Sequence, residues 1–311
     1  MLITENEKIE NLFKAGIKTL TMHRINFGGK RLYCTTEPFK VYSGLTGALS
    51  AATFKGSQDA KRLDKWRDKM VGQLGQEGQQ AYLQTMADFG TLVHEALVTI
   101  KENGGLDWKS EQEHAHLYFE ASAKRNGIEP NYGVIRSQVF EYCKAAASLM
   151  QFVYEKVDEI YAIEGMAKSD MLEIATPIDL VCKLRDGVIA SLNIKTSSQI
   201  GDHQLEQATI EKYLWNETYP DLQVNVTGII RTKDWRKAPS YEFLLVTPEQ
   251  EKEMGNDAFK RLKLVRENQN STYLNYPKNI PIFTGETKAG EMPNIEYKTL
   301  EQIFNEQQTE I

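Results

Sequence analysis

The stretch from Ile174 to Tyr213, IATPIDLVCKLRDGVIASLNIKTSSQIGDHQLEQATIEKY, decides the fold. Its first half reads as a β-hairpin around Arg185-Asp186-Gly187. Its second half reads as a helix opened by Asp202 as N-cap and running to about Glu217. A two-residue Asp186-Gly187 turn would set Leu180 opposite Asn193, mixing apolar and polar side chains on one face. A three-residue loop, with Gly187 in the left-handed position, sets Leu180 opposite Leu192, Cys182 opposite Ala190 and Leu184 opposite Val188. Only the second register gives a clean apolar face, and it is the one expected. It also places Asp179 across from Asn193, with Lys195 on the same face.

Composition bounds what surrounds this hairpin. A chain of 311 residues with 41% hydrophobic content can bury a sizeable core, as one large domain or one domain with an appendage. A net charge of −6 excludes coating nucleic acid by bulk charge and leaves only a local basic patch for that purpose. Three cysteines, Cys34, Cys143 and Cys182, lie too far apart for a CxxC metal cluster and form no disulfide framework, as expected in a reducing cytosol. No apolar run approaches the ~20 residues of a membrane span. The acidic start, MLITENEKIENLF, is neither a signal nor a transit peptide. The expected location is cytoplasmic, the host cytoplasm if a phage encodes the chain.

Outward from the hairpin, the expected elements alternate. A short amphipathic helix over Glu5 to Ala15 precedes a hairpin, Leu20 to Phe27 and Lys30 to Cys34, turning at Gly28-Gly29. The small-residue segment VYSGLTGALSAATFKG follows, then helices over Asp59 to Leu74, Gly78 to Thr99, Ser110 to Asn126 and Asn131 to Glu155. Strands are expected over Val157 to Ile163, Val224 to Thr232 and Tyr241 to Val246. Thr247-Pro248-Glu249-Gln250 is a capping box with proline at the first helical position, opening a helix to about Asn268. The Pro-, Asn- and Gly-rich tail reads as peripheral, with a short helix near Leu300 to Glu306. The fold class is α/β with a mixed sheet. It divides into an N-terminal hairpin and helical region (1–156), a core (157–270) and a tail (271–311).

Each polar candidate has a plain structural alternative. Asp179 lies between Ile178 and Leu180, where burying a carboxylate costs several kcal/mol unless it is paired or bound to metal. A salt bridge to Lys195 would satisfy it equally well. Lys195 reads alone as a solvated lysine, His94 as a packed helical histidine and Glu164 as a surface acid. Their order along the chain carries more than any one of them.

That order resembles the PD-(D/E)XK nucleases of the RecB-like branch: G-x-x-x-H on an early helix, an acid in a strand, acid-x-Lys ending the next strand, then a helix with Gln. The matching residues are Gly90 to His94, Asp179, Asn193-Ile194-Lys195 and Gln207. The segment from Leu63 to Leu97 is similar to the mitochondrial genome maintenance exonuclease and to related phage exonucleases. They also share an upstream Ser/Thr segment and a KTS ending to the strand. The likeness covers roughly Val41 to Lys237.

The resemblance implies a restriction-endonuclease-like core with a helical N-terminal part. It implies a Mg2+- or Mn2+-dependent DNA exonuclease acting on single-stranded ends in replication or recombination. Asp179, position 193, the Ile194 backbone carbonyl and Glu164 would be the metal ligands, with His94, Lys195 and Gln207 completing the catalytic set. Ser43 and Thr46 would contact DNA. Of two basic-aromatic segments, the helical one, with Lys61, Arg62, Lys65, Trp66, Arg67 and Lys69, reads as a solvated face with a buried Trp. The other, with Lys233, Trp235, Arg236 and Lys237, suits phosphates and stacked bases. Two departures stand out: Asn193 replaces the family's Asp, and Glu211 stands where the Gln helix usually carries Tyr. Asn193 marks either an engineered inactive form or a natural, impaired nuclease, and Asp at 193 is expected to restore cleavage. The alternative is a catalytically inactive nuclease-fold protein that binds DNA or a protein partner.

Overall fold

The computed structural model describes Leu12, residues 15–27, 30–36, 38–52, 58–103, 106–197, 199–232, 238–267, 280–284 and 294–299, with Glu301, Gln302 and Asn305. Strands β1 (His23–Phe27), β2 (Lys30–Thr36) and β3 (Phe39–Gly44) form an antiparallel ladder that leads into helix α1 (Leu45–Ala52). Helices α2 (Gln58–Asn103), α3 (Trp108–Arg125) and α4 (Tyr132–Lys156) follow. Then come β4 (Val157–Ser169), β5 (Ile174–Leu184), β6 (Ile189–Lys195), α5 (Asp202–Thr218), β7 (Val226–Thr232), β8 (Tyr241–Leu245) and α6 (Pro248–Glu267). Strands β1 to β8 form one mixed sheet, with β3–β5 and β6–β7 parallel and the remaining pairs antiparallel. The β3–β5 pairing makes the N-terminal hairpin continuous with the core sheet.

The sheet is covered on both faces. Leu92, Val93 and Leu97 of α2, Phe119 of α3 and Phe152 of α4 pack against Leu180, Cys182, Ala190 and Leu192. On the other face, Leu45 and Leu49 of α1, Ile210 and Trp215 of α5 and Leu262 of α6 pack against Ile174, Ile178 and Val181. Burial on both faces is why β5 and β6 read as nearly continuous apolar runs.

The expected three-residue loop is the one observed. Leu180 pairs with Leu192 and Cys182 with Ala190, the Leu184 N–H donates to the Val188 carbonyl at 2.8 Å, and Gly187 has φ +87°. Helix α2 is interrupted at Gly75, with φ +73°, between the two helices read from the sequence. The Gln79 side chain there donates to the Arg67 carbonyl at 3.2 Å, folding the two segments together. The Thr247 box forms as read: Thr247 N–H donates to Gln250 Oε1 at 3.0 Å, and Gln250 N–H to Thr247 Oγ1 at 3.3 Å.

Three expectations are corrected. Strand β4 runs to Ser169 rather than Ile163, because it pairs along the whole of β5. The N-cap of α5 is Gly201, whose N–H donates to Gln204 Oε1 at 2.9 Å; Asp202 lies in the first turn, where its charge complements the helix N-terminus. The tail contains a hairpin, β9 (Ile280–Thr284) with β10 (Asn294–Lys298), that composition alone did not suggest. The expected helix at the N-terminus and the Gly28-Gly29 turn lie outside the described residues, apart from Leu12 and Ala15. Among the described residues no helix is long and apolar enough to cross a membrane.

Strand β4 is closely packed at Gly165. A Cβ at Gly165 would lie 2.9 Å from Ala162 Cβ, 3.0 Å from the Trp215 ring and 3.2 Å from Thr19 Cγ2. Both Trp215 and the strand backbone are buried and cannot give way cheaply. Gly165→Ala is therefore expected to lower stability by about 1–3 kcal/mol, read as a reduced urea midpoint at unchanged slope.

Candidate functional site

Strand β5 changes partners along one edge. It pairs with β3 at Ile174 and Ala175, and with β6 from Leu180 onward. Pro177, which has no N–H to offer a neighbour, lies between the two, and so does Asp179. The β5–β6 ladder does not extend to Asp179. Its buried carboxylate replaces the missing rung, with Oδ2 accepting the Ile194 N–H at 2.7 Å. The side chain is thereby fixed at the end of β6, and its other oxygen remains available.

Two groups converge on that oxygen. His94, on α2, has Nδ1 3.5 Å from Asp179 Oδ1 and 3.5 Å from Glu164 Oε1. Its Nε2 lies 3.1 Å from the Ile194 carbonyl. A carbonyl can only accept, so Nε2 carries a proton, and Nδ1 faces the two carboxylates. A bare lone pair there would oppose two negative oxygens, so either a proton or a cation belongs between them. Burial pulls the His94 pKa down, but the charges of Asp179 and Glu164 outweigh it and the net shift is upward. One ligand atom from each of His94, Glu164 and Asp179 lies within 4.8 Å of the others, a grouping able to hold a metal ion.

Glu164 reaches this position through a backbone distortion. It falls opposite Asp179, between the pairs Ile163–Leu180 and Gly165–Ile178, with φ +51° inside a long strand. A non-glycine residue held there costs on the order of 1–3 kcal/mol and persists where the surroundings impose it. Helix α2 is seated nearby. Gly90, one turn before His94, passes Thr196 closely enough that a Cβ would sit 3.6 Å from its Oγ1. Asp88 anchors the same turn to α3, accepting from the Ser122 hydroxyl and from Gln84 Nε2 at 2.8 Å.

The second half of the site lies toward α5. Lys195 Nζ donates to Asn193 Oδ1 at 3.0 Å and to Gln207 Oε1 at 3.5 Å. Gln207 Nε2 donates to Glu211 Oε1 at 2.7 Å, and Asn193 Nδ2 donates to Glu211 Oε2. The Asn193 orientation follows from Lys195, since an ammonium can only donate and so takes Oδ1, leaving Nδ2 toward Glu211. Glu211 is 1% exposed. Burial pushes its carboxyl up to about 7, with the charge of Asp179 adding to the effect and Lys195 and the two amides opposing it.

A raised carboxyl has a definite linkage sign. Between about pH 4.5 and 7 the folded chain holds a proton on Glu211 that the unfolded chain has lost. The stabilisation present below that window is therefore gone above it. Relative to Glu211→Gln, the metal-free protein is expected to lose on the order of 2–3 kcal/mol across this range. Urea melts of both chains at the two ends of the window measure it.

The structure thus brings His94, Glu164, Asp179, Asn193, the Ile194 carbonyl, Lys195 and Gln207 together. Of the DNA-contact candidates, Ser43 is buried in the sheet between β2 and β5, while Thr46 is exposed in the first turn of α1. Lys233, Trp235, Arg236 and Lys237 lie outside the described residues, as do the side chains of Lys61, Arg62 and Trp66. Glu211 was noted in the sequence only as a departure from a pattern. Its signal was legible, since an acid stands among the buried α5 positions Ala208, Leu214 and Trp215. Comparison with protein-family models and with curated proteins finds no match. The likeness to nucleases therefore rests on the residues quoted above.

Proposed function

We propose that the chain is a divalent-metal-dependent deoxyribonuclease, an exonuclease acting on single-stranded DNA ends. The observation that supports this most is the convergence of Asp179, Glu164 and His94 beside a lysine held by two amide oxygens. The donor set suits a hard divalent ion, and the imidazole nitrogen tilts it from Mg2+ toward Mn2+. When bound, such an ion supplies charge neutralisation and Lewis-acid polarisation at a phosphate.

The remaining roles belong to the protein. Asp179, Glu164 and His94 Nδ1 would hold the ion, and His94 Nε2 ties α2 to the end of β6 through the Ile194 carbonyl. Lys195 is aimed by Asn193 and Gln207 and would stabilise negative charge growing on the phosphoryl oxygens. The proposed setting, replication or recombination of a phage in the host cytoplasm, rests on the nuclease resemblance.

The amide at 193 favours a second reading, a nuclease fold that binds DNA without cutting it. An end-labelled single strand incubated with Mg2+, Mn2+ or a chelator separates the two. Metal-dependent shortening supports the enzyme, while binding without cleavage supports the alternative. A circular single strand left intact under conditions that digest the linear one identifies an exonuclease.

A further inference from the structure

We infer that the carboxylate missing from position 193 has moved to Glu211, so that α5, rather than the end of β6, supplies the acidic charge that position 193 lacks. This rests on the metal-dependent reading above. It contradicts the expectation that aspartate at 193 would repair an impaired centre.

The geometry is that of an exchanged acid–amide pair. Asn193 Nδ2 donates directly to Glu211 Oε2, and Gln207 Nε2 takes the other oxygen at 2.7 Å. Glu211 is 1% exposed and its hydrogen-bond partners are both neutral amides. Burying an ionised carboxylate on neutral partners costs several kcal/mol unless a cation compensates it. Lys195 touches Asn193 and Gln207, the same two residues that hold Glu211.

Counting charges gives the same result. Asp179 and Glu164 beside His94, with Glu211 joined to Lys195 through Asn193 and Gln207, set three carboxylates against one ammonium when all are ionised, an excess of two negative charges that a divalent ion would balance. Aspartate at 193 beside Glu211 would overshoot that count and set two carboxylates against each other, where they cannot both ionise. Exchanging the two groups conserves the charge and the hydrogen bond.

The test is a four-chain cycle: native, Asn193→Asp, Glu211→Gln and the double Asn193→Asp/Glu211→Gln, with Asp179→Asn beside them. Each is measured for Mn2+ binding and for Mn2+-dependent digestion of labelled single-stranded DNA, with thermal melts as the folding control. Glu211→Gln is expected to weaken Mn2+ binding about tenfold or more. Its melting temperature, read beside that of the double variant, shows how far an amide facing two donor amides unsettles the fold. Asn193→Asp alone should not improve binding or cleavage, and the double variant should recover most of both. The inference is overturned if Asp179→Asn abolishes Mn2+ binding while Glu211→Gln leaves it unchanged, a result that keeps the metal reading. It is equally overturned if Asn193→Asp alone raises binding and cleavage, or if the double variant stays as weak as Glu211→Gln. Mn2+ binding indifferent to both Asp179→Asn and Glu211→Gln overturns the metal reading itself, and this inference with it.

Discussion

Asp179→Asn is expected to reduce Mn2+-dependent hydrolysis of single-stranded DNA by on the order of 10³-fold. Asparagine keeps the shape and an oxygen to accept the Ile194 N–H, so the rung that closes the end of β6 survives. What is lost is the charge facing His94 Nδ1 and Glu164, the part of the cluster that a cation would neutralise. The thermal stability of the metal-free chain is expected to change little, because repulsion between Asp179 and buried Glu211 is relieved while the attraction between Asp179 and His94 is lost. A residue whose replacement removes function while leaving the fold intact is placed for chemistry rather than for packing. A thermal melt alongside the kinetic assay separates the two: lower activity with a lower melting temperature would indicate a structural salt bridge instead.

Lys195→Met is expected to act differently. Methionine retains most of the apolar stem and removes the ammonium that Asn193 Oδ1 and Gln207 Oε1 hold in place. If that ammonium stabilises charge that develops on the phosphate during reaction, kcat should fall by roughly 10²–10³-fold with little change in KM. Metal affinity should not decrease, because a positive charge leaves the neighbourhood of the carboxylates. The contrast with Asp179→Asn, where binding of the ion is lost, assigns the two residues to separate parts of the chemistry. Equal losses of metal binding in both variants would contradict this division.

The hairpin was readable because its register has only one solution that keeps Leu180, Cys182, Ala190 and Leu192 on one face, and the observed pairing follows it. The helical stretches were readable from apolar spacing and from the Thr247 box of α6. What the sequence concealed has physical causes. The positive φ of Glu164 lies inside a strand, beside the closely packed Gly165, and no local residue preference announces it. The length of β4 depends on its partner β5, so its own composition could not fix where it ends. The Asn193–Glu211 contact joins residues 18 apart on different elements, and only the packing of α5 against β6 reveals that an amide in one place answers an acid in the other.

The most direct measurement is a Mn2+ titration followed by the loss of the free-ion resonance signal, on the native chain and on Asp179→Asn. The structure predicts saturable uptake by the native chain that Asp179→Asn abolishes. Uptake that is absent in the native chain, or that is identical in the two chains, would contradict a metal centre at Asp179, Glu164 and His94.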